Sequence, residues 1–100
     1  MTAMKTLQEI QKILQTNRKE LAETYGVLEI GIFGSCIRGE QKSGSDIDIL
    51  VEIKRPAGFV RFMRLEQHLK QLLGAKVDLV SKKALKPFIG RHILEEVRYV

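Results

Sequence analysis

The 100-residue sequence predicts a small α/β (α+β) domain, in which helices cover a mixed sheet of three strands in the order α-β-(short α)-β-α-β-α. Apolar residues recur at helical spacing in three segments, and three shorter segments are rich in β-forming residues. Residues 34–45 link the first two strands, and about 12 residues is the lower limit for a parallel crossover. We therefore expect a mixed or antiparallel sheet at this link.

The first helix is predicted to run from about residue 7 to residue 25. Thr6 and Glu9 have the spacing of a capping box, in which each side chain satisfies a free backbone N–H group at the start of a helix. Apolar and aromatic residues then recur at helical spacing, at Leu7, Ile10, Leu14, Leu21 and Tyr25. The polar residues 16–18 interrupt this pattern, and Gly26 is suited to end the helix. We expect a helix whose role is packing.

The first two strands are predicted at residues 27–33 and 46–53, where β-forming apolar residues dominate. Residues 36–40 fit one short helical turn after the first strand. Residues 41–45 are a polar turn by composition and lead into the second strand.

The second half of the chain is predicted as helix, strand and helix. After the breakers Pro56 and Gly58, an amphipathic helix extends to Gly74. Its apolar positions are Phe59, Phe62, Met63, Leu69, Leu72 and Leu73. Residues 76–80 form a short third strand, and Pro87 suits the first turn of the last helix. The buried stripe of that helix is expected at Ile89, Ile93, Leu94 and Val97.

The composition fits one soluble domain spanning residues 1–100. Apolar residues make up 44% of the chain, too many for a disordered protein, and no apolar run approaches the roughly 20 residues of a membrane span. The N-terminal residues lack the apolar block of a secretory signal. Cys36 is the one cysteine, so no intramolecular disulfide is expected. These features favour a cytoplasmic protein.

The charge balance favours anionic partners. Seventeen Lys and Arg residues against twelve Asp and Glu residues leave a net charge of +5, which attracts nucleotides, nucleic acids or acidic proteins. The basic residues are scattered along the chain, without a long cluster or interleaved aromatic residues. Direct nucleic-acid binding is therefore not indicated.

Three carboxylates provide the candidate chemistry. Asp46 and Asp48 stand two residues apart on the second strand, so their side chains share a face and repel each other. A divalent cation such as Mg²⁺, which prefers oxygen ligands, would neutralise them. Asp78 lies between Val77 and Leu79 on a strand short enough to be central, where a carboxylate is expected to be mostly buried and to need a partner. If the third strand lies beside the second, the three carboxylates form one cluster that could hold two metals roughly 3.5–4 Å apart.

Three other residues are assigned to packing or to the surface. Cys36 has no neighbouring His in the sequence, so a small, semi-buried filler is the simpler interpretation. His68 and His92 lie on separate predicted helices without the spacing of zinc ligands.

The motifs together resemble a known superfamily. Gly34-Ser35, Arg38-Gly39-Glu40, Ser45-Asp46-Ile47-Asp48 and the later Asp78 are similar to the pattern of the polymerase-β-type nucleotidyltransferases. The sequence pattern GSxxRGE…SDIDILV and the chain length resemble those of the minimal nucleotidyltransferase (MNT) domains. The resemblance covers nearly the whole chain, and it implies the nucleotidyltransferase fold.

The resemblance implies a role for each metal-binding or nucleotide-binding position. Gly34 would let the backbone approach the triphosphate, and Ser35 would donate a hydrogen bond to a phosphate oxygen. Asp46 and Asp48 would ligate the divalent metals. Asp78 would bind the catalytic metal and help to deprotonate the acceptor hydroxyl.

Arg38 and Ser45, two further residues of the predicted nucleotide site, each have two possible roles. Arg38 either contacts a phosphate or forms a salt bridge to Glu40. Ser45 either caps the approach to the second strand or shapes the turn before it.

The resemblance also implies a reaction and a partner. The reaction would be transfer of AMP from ATP, with two Mg²⁺ ions and release of pyrophosphate. MNT proteins of this size are commonly paired with a HEPN-family toxin, and the family transfers AMP to a tyrosine of that toxin. Two alternatives stay open: an antitoxin that neutralises its partner by occlusion without catalysis, and nucleotidyl transfer to a small molecule such as an aminoglycoside. A degenerate domain that keeps the fold and has lost catalysis also remains an interpretation of the acidic trio.

Overall fold

The computed structural model describes residues 6–39, 46–54, 58–85 and 87–100, with the side chains of residues 35 and 87–89 outside that description. The helices and strands follow the predicted order closely. They are α1 (Leu7–Thr16), α2 (Arg18–Tyr25), β1 (Val27–Phe33), α3 (Ser35–Arg38), β2 (Ile47–Ile53), α4 (Gly58–Leu73), β3 (Val77–Ser81), a 3₁₀ turn (Lys82–Ala84), α5 (Pro87–Glu96) and β4 (Arg98–Tyr99).

The described strands form one mixed sheet in the order β3-β2-β1-β4. β1 is antiparallel to β2 and to β4, whereas β2 and β3 are parallel. The mixed α+β fold is confirmed, and the third strand does lie beside the second. The sheet has a fourth strand that the sequence did not predict, because two residues are too few to show an alternating pattern. β3 is an edge strand, so the expectation that it is central was wrong.

The predicted helix over residues 7–25 is two helices that meet at Asn17. The Asn17 side-chain amide donates to the Ile13 carbonyl at 2.8 Å, and the Asn17 carbonyl accepts from the Leu21 backbone N–H at 2.9 Å. One residue therefore ends α1 and begins α2. The predicted capping box is confirmed, since the Glu9 backbone N–H donates to the Thr6 hydroxyl at 3.1 Å.

One face of the sheet carries the hydrophobic core, and we call it the core face. Alternate residues of β2 point into it and are almost fully buried at Ile47, Ile49 and Val51. The helices α1, α2 and α4 cover this face through fully buried side chains that include Ile10, Leu14, Leu21, Leu65, Leu69 and Leu73. Burial of a Leu or Ile side chain contributes about 1.5–3 kcal/mol, so this face holds most of the folding free energy.

Two predicted core stripes are partly wrong. On α4 the buried residues are Leu65, Leu69 and Leu73, spaced one turn apart. Met63 precedes Leu65 by two residues, which is a rotation of about 200° around the helix, so its side chain is exposed. Phe59 is also exposed, at 77%.

None of the described side chains of helix α5 belongs to the core cluster. Leu94 is 45% exposed although the sequence predicted it to be buried. Ile93 and Val97 are partly buried, and the side chain of Ile89 lies outside the described residues. The reason is that α5 borders the opposite side of the sheet, where Ile93 lines a cleft.

Of the helices in the described ranges, none is long and apolar enough to cross a membrane.

Candidate active site

A tight turn at Gly34 lies at the centre of the candidate site. β1 ends at Phe33, and Gly34 has a φ of 77°, a left-handed conformation that glycine adopts without strain. Its carbonyl accepts from the backbone N–H groups of Ile37 at 3.0 Å and Arg38 at 3.1 Å, so the turn opens helix α3. A Cβ atom at this position would overlap Oδ2 of Asp48 and lie 2.9 Å from its Cγ. Glycine is therefore required both by the backbone and by the neighbouring carboxylate.

The strand register aligns the predicted carboxylates. Asp48 pairs with Phe33 of β1 on one side and with Asp78 of β3 on the other. Because partners in register point to the same side of a sheet, Asp48 and Asp78 are neighbours on the side opposite the core face. Asp46 directly precedes β2 and is exposed.

The burial of the two central carboxylates differs. Asp48 is half-buried, and Asp78 is exposed. The expectation that Asp78 is mostly buried was wrong, because β3 lies at the edge of the sheet.

The carboxylates suit a divalent cation in their chemistry. Carboxylate oxygens are the ligands that Mg²⁺ prefers, and adjacent strands present two of them in register. Within the described ranges, no three His, Cys, Asp or Glu side chains lie close enough together to form a metal site. The sheet places Asp48 and Asp78 in register, but within the described residues the three carboxylates do not come close enough together to form one metal site.

Glu96, the last residue of α5, belongs to this site although the sequence did not predict it. The Gly34 backbone N–H donates to its Oε2 at 2.7 Å. Nη1 of Arg38 lies 3.0 Å from its Oε1 and 3.2 Å from its Oε2. Arg38 thus forms a salt bridge with Glu96, and Glu40, the partner that the sequence suggested, lies outside the described residues. No local pattern predicts a contact between residues 58 positions apart.

A cleft of about 650 Å³ opens beside these residues. The Gly34 turn and Asp48 form one wall, and α5 forms the other. The cleft is lined by Phe33, Gly34, Arg38, Asp48, His92, Ile93, Glu95 and Glu96. A volume of this size falls in the range of small-molecule and cofactor sites. His92, which the sequence assigned to packing or to the surface, is exposed and lines this cleft, whereas His68 on α4 contacts Glu20 of α2 at 2.9 Å.

Cys36 lies behind the turn as a buried packing residue. Its side chain is 8% exposed and belongs to the core cluster. Burial, and then the negative charge of Asp48, raise the pKa of the Cys36 thiol. A raised pKa disfavours the thiolate, so Cys36 is a poor nucleophile. The prediction of a small filler is confirmed.

Two predicted nucleotide-binding groups cannot be placed in this geometry. Ser45 and the side chain of Ser35 lie outside the described residues, so their roles stay predictions.

Comparisons with known proteins agree with this arrangement. Residues 9–100 match the family model described as a nucleotidyltransferase domain. The chain is 51% identical over 98 residues to the protein adenylyltransferase MntA of Thermococcus cleftensis, covering 98% of this chain and 99% of the relative.

Solved structures show the same fold. One, assigned as a minimal nucleotidyltransferase, is 29% identical with a TM-score of 0.83 and covers 97% of this chain and 98% of its own. A chain from the complex of a tri-AMPylated Shewanella oneidensis HEPN toxin with an MNT antitoxin has a TM-score of 0.64. It is 21% identical and covers 89% of this chain and 70% of its own, so it shows the fold alone. The sequence and structural matches together show that the chain is a nucleotidyltransferase and belongs to the nucleotidyltransferase domain family.

Proposed function

We propose that this nucleotidyltransferase transfers AMP from ATP to a tyrosine hydroxyl of a partner protein, a HEPN-family toxin, and is thereby the antitoxin of the pair. The name of the Thermococcus relative, a protein adenylyltransferase, supports a protein acceptor. The Shewanella complex, in which an AMPylated HEPN toxin is bound by an MNT antitoxin, supports the toxin as that acceptor. Since ATP is the donor, we place the reaction in the cytoplasm.

The observation that carries the proposal is the register of Asp48 and Asp78 beside the Gly34 turn. Two carboxylates on neighbouring strands repel each other unless a cation joins them. The glycine turn beside them lacks a Cβ and leaves room for the Asp48 side chain. An open cleft lined by the Gly34 turn and Asp48, with Asp78 in register beside Asp48, suits a metal-assisted transfer of a phosphoryl-type group.

The transfer is a substitution at the α-phosphorus of ATP. The acceptor oxygen forms a bond to this phosphorus while the bond between the phosphorus and its bridging oxygen to the β-phosphate breaks. Pyrophosphate leaves with that electron pair, and the acceptor hydroxyl gives up its proton. Mg²⁺, when bound, supplies positive charge that stabilises the phosphate oxygens.

The chain's own residues hold the reactants in line. Asp46, Asp48 and Asp78 would hold two Mg²⁺ ions, and the exposed Asp78 would accept the proton of the acceptor hydroxyl. The Gly34 backbone and the Arg38 guanidinium would bind the triphosphate, with the hydroxyls of Ser35 and Ser45 as further contacts. Catalysis would rest on positioning and on electrostatic stabilisation of the developing charge.

Label transfer to the partner tests this proposal. The protein is incubated with ATP labelled at the α-phosphate, Mg²⁺ and the product of the neighbouring gene. We expect label on the partner with the wild-type chain and none above background with Asp46→Asn or Asp48→Asn. Glu52→Gln is a matched control because Glu52 lies on the same strand and side as Asp48 but at the other end of β2.

The same experiment separates catalysis from occlusion and from a small acceptor. If Asp46→Asn and Asp48→Asn still neutralise the partner fully and no label moves, occlusion is correct and the catalytic proposal fails. Label recovered on an added aminoglycoside but never on the partner would instead assign a small-molecule acceptor.

A further inference from the structure

The Glu96 carboxylate engages both groups that face the phosphates in the proposed function. Its Oε2 accepts from the Gly34 backbone N–H at 2.7 Å, and both of its oxygens lie within 3.2 Å of Arg38 Nη1. A carboxylate and a phosphate make the same kinds of charge-assisted hydrogen bond to an amide and a guanidinium. One carboxylate of the chain therefore occupies the donors that a triphosphate would use.

We propose that the Glu96 carboxylate competes with the nucleotide's phosphates for Gly34 and Arg38, so that Glu96 sets the nucleotide affinity of the site. This inference rests on the proposed function. Nucleotide binding then requires the Glu96 side chain to leave its two partners. It also follows that the chain holds its phosphate donors in place with an internal anion before the nucleotide arrives.

The position of Glu96 permits this exchange. Glu96 is the last residue of α5, and its side chain is 24% exposed, so it can turn toward the cleft without crossing the core. Arg38 is more exposed, at 51%, and can follow an incoming phosphate. The carboxylate also places a negative charge inside the cleft that would receive the triphosphate. Both the lost donors and this charge lower the affinity for an anion.

Binding of the ATP analogue AMP-PNP with Mg²⁺, measured by isothermal titration calorimetry, tests the inference. We expect Glu96→Gln to bind about tenfold more tightly than the wild-type chain, because a neutral amide is a weaker competitor than a carboxylate. Glu95→Gln is the matched control, since Glu95 lines the same cleft and the charge change is identical. It should tighten binding by less than about twofold, because salt screens an exposed charge.

A thermal denaturation series on the same proteins separates competition from a structural role. Glu96→Gln should lower Tm while it raises affinity, whereas loss of a purely structural contact would lower both. Glu96→Asp keeps the charge but shortens the side chain by one methylene, so it should also bind more tightly than the wild-type chain and by a smaller factor.

The outcomes distinguish this inference from the proposed function. If the wild-type chain binds AMP-PNP and Glu96→Gln binds equally or more weakly, the competition is overturned and the proposed function stands. If neither protein binds AMP-PNP, both fail, because removal of the competitor has not exposed a nucleotide site.

Discussion

The two sides of the sheet differ in what their side chains do. On the core face, Ile49, Val51 and their neighbours are fully buried under α1, α2 and α4. On the other side, which we call the carboxylate face, the register brings together Glu29 with Glu52 and Asp48 with Asp78. Along β2, the side chains on the core face pack, whereas Asp48 and Glu52 on the other side carry charge, with the buried Leu50 between them.

We therefore expect stability and activity to be separable in this chain. A core-face side chain contributes to folding in proportion to the apolar area that it buries. Carboxylates on the other face bury little apolar area, and an exposed ion pair such as that of Glu29 with Lys82, at 3.5 Å, contributes about 1 kcal/mol or less to folding. Substitutions on the core face should therefore change mainly the free energy of unfolding, whereas substitution of Asp48 should change mainly label transfer.

The largest loss of stability is expected on the core face. Leu69→Ala removes a fully buried side chain in the middle of α4 and should lower the free energy of unfolding by about 2–5 kcal/mol. Met63 is the matched control, because it lies on the same helix and is 43% exposed. Met63→Ala should change the free energy of unfolding by less than about 0.5 kcal/mol. Urea denaturation of the two variants measures both, and equal losses would contradict the assigned core.

An intermediate loss of stability is expected at the Gly34 turn, between β1 and α3. Gly34→Ala places a side chain at a positive φ, which costs about 1–3 kcal/mol, and also pushes the Asp48 carboxylate away. Gly39 has a φ of 71°, and no atom of the described residues lies within 4 Å of the position that its Cβ would take. Gly39→Ala therefore shares the backbone strain and lacks the clash. Urea denaturation and label transfer should show that Gly34→Ala loses both stability and activity and that Gly39→Ala loses mainly stability. Similar activity in the two variants would show that the Asp48 contact is not needed.

The smallest effect is expected at Cys36. Because burial and Asp48 raise its pKa, the folded protein should react with iodoacetamide at pH 8 at least about tenfold more slowly than the urea-unfolded chain. The same pKa shift determines how stability depends on pH. At pH values just above 9.0 the unfolded thiol loses its proton while the folded thiol still holds it, so the free energy of unfolding falls as the pH rises above 9.0. Rapid labelling of the folded chain at pH 8 would contradict the burial of the thiol.

The sequence predicts those parts of the fold that depend on local patterns. The capping residues Thr6 and Glu9, the strand at residues 27–33 and the left-handed stop at Gly26 follow from composition and spacing, and each is confirmed. The i, i+2 spacing of Asp46 and Asp48 likewise predicts which side of β2 carries the candidate chemistry.

The remaining features depend on distant parts of the chain. The salt bridge of Arg38 with Glu96 is set by how α5 returns to the sheet, and no nearby residue encodes it. The exposure of Asp78 depends on β3 lying at the edge, which the composition of a five-residue strand does not determine. The division at Asn17 was visible as a polar interruption, but only the hydrogen bond of its side chain to Ile13 shows that it ends a helix.

The most direct test of the account measures stability and activity on the same preparation of Asp48→Asn. We expect label transfer from ATP to fall by roughly two orders of magnitude or more, and the free energy of unfolding to change by less than about 1 kcal/mol. Glu52→Gln, with the same kind of charge change on the same strand and face, should keep its activity. Full label transfer by Asp48→Asn, or its unfolding under conditions in which Glu52→Gln stays folded, would contradict the claim that Asp48 on the carboxylate face acts in the chemistry while the core face stabilises the fold.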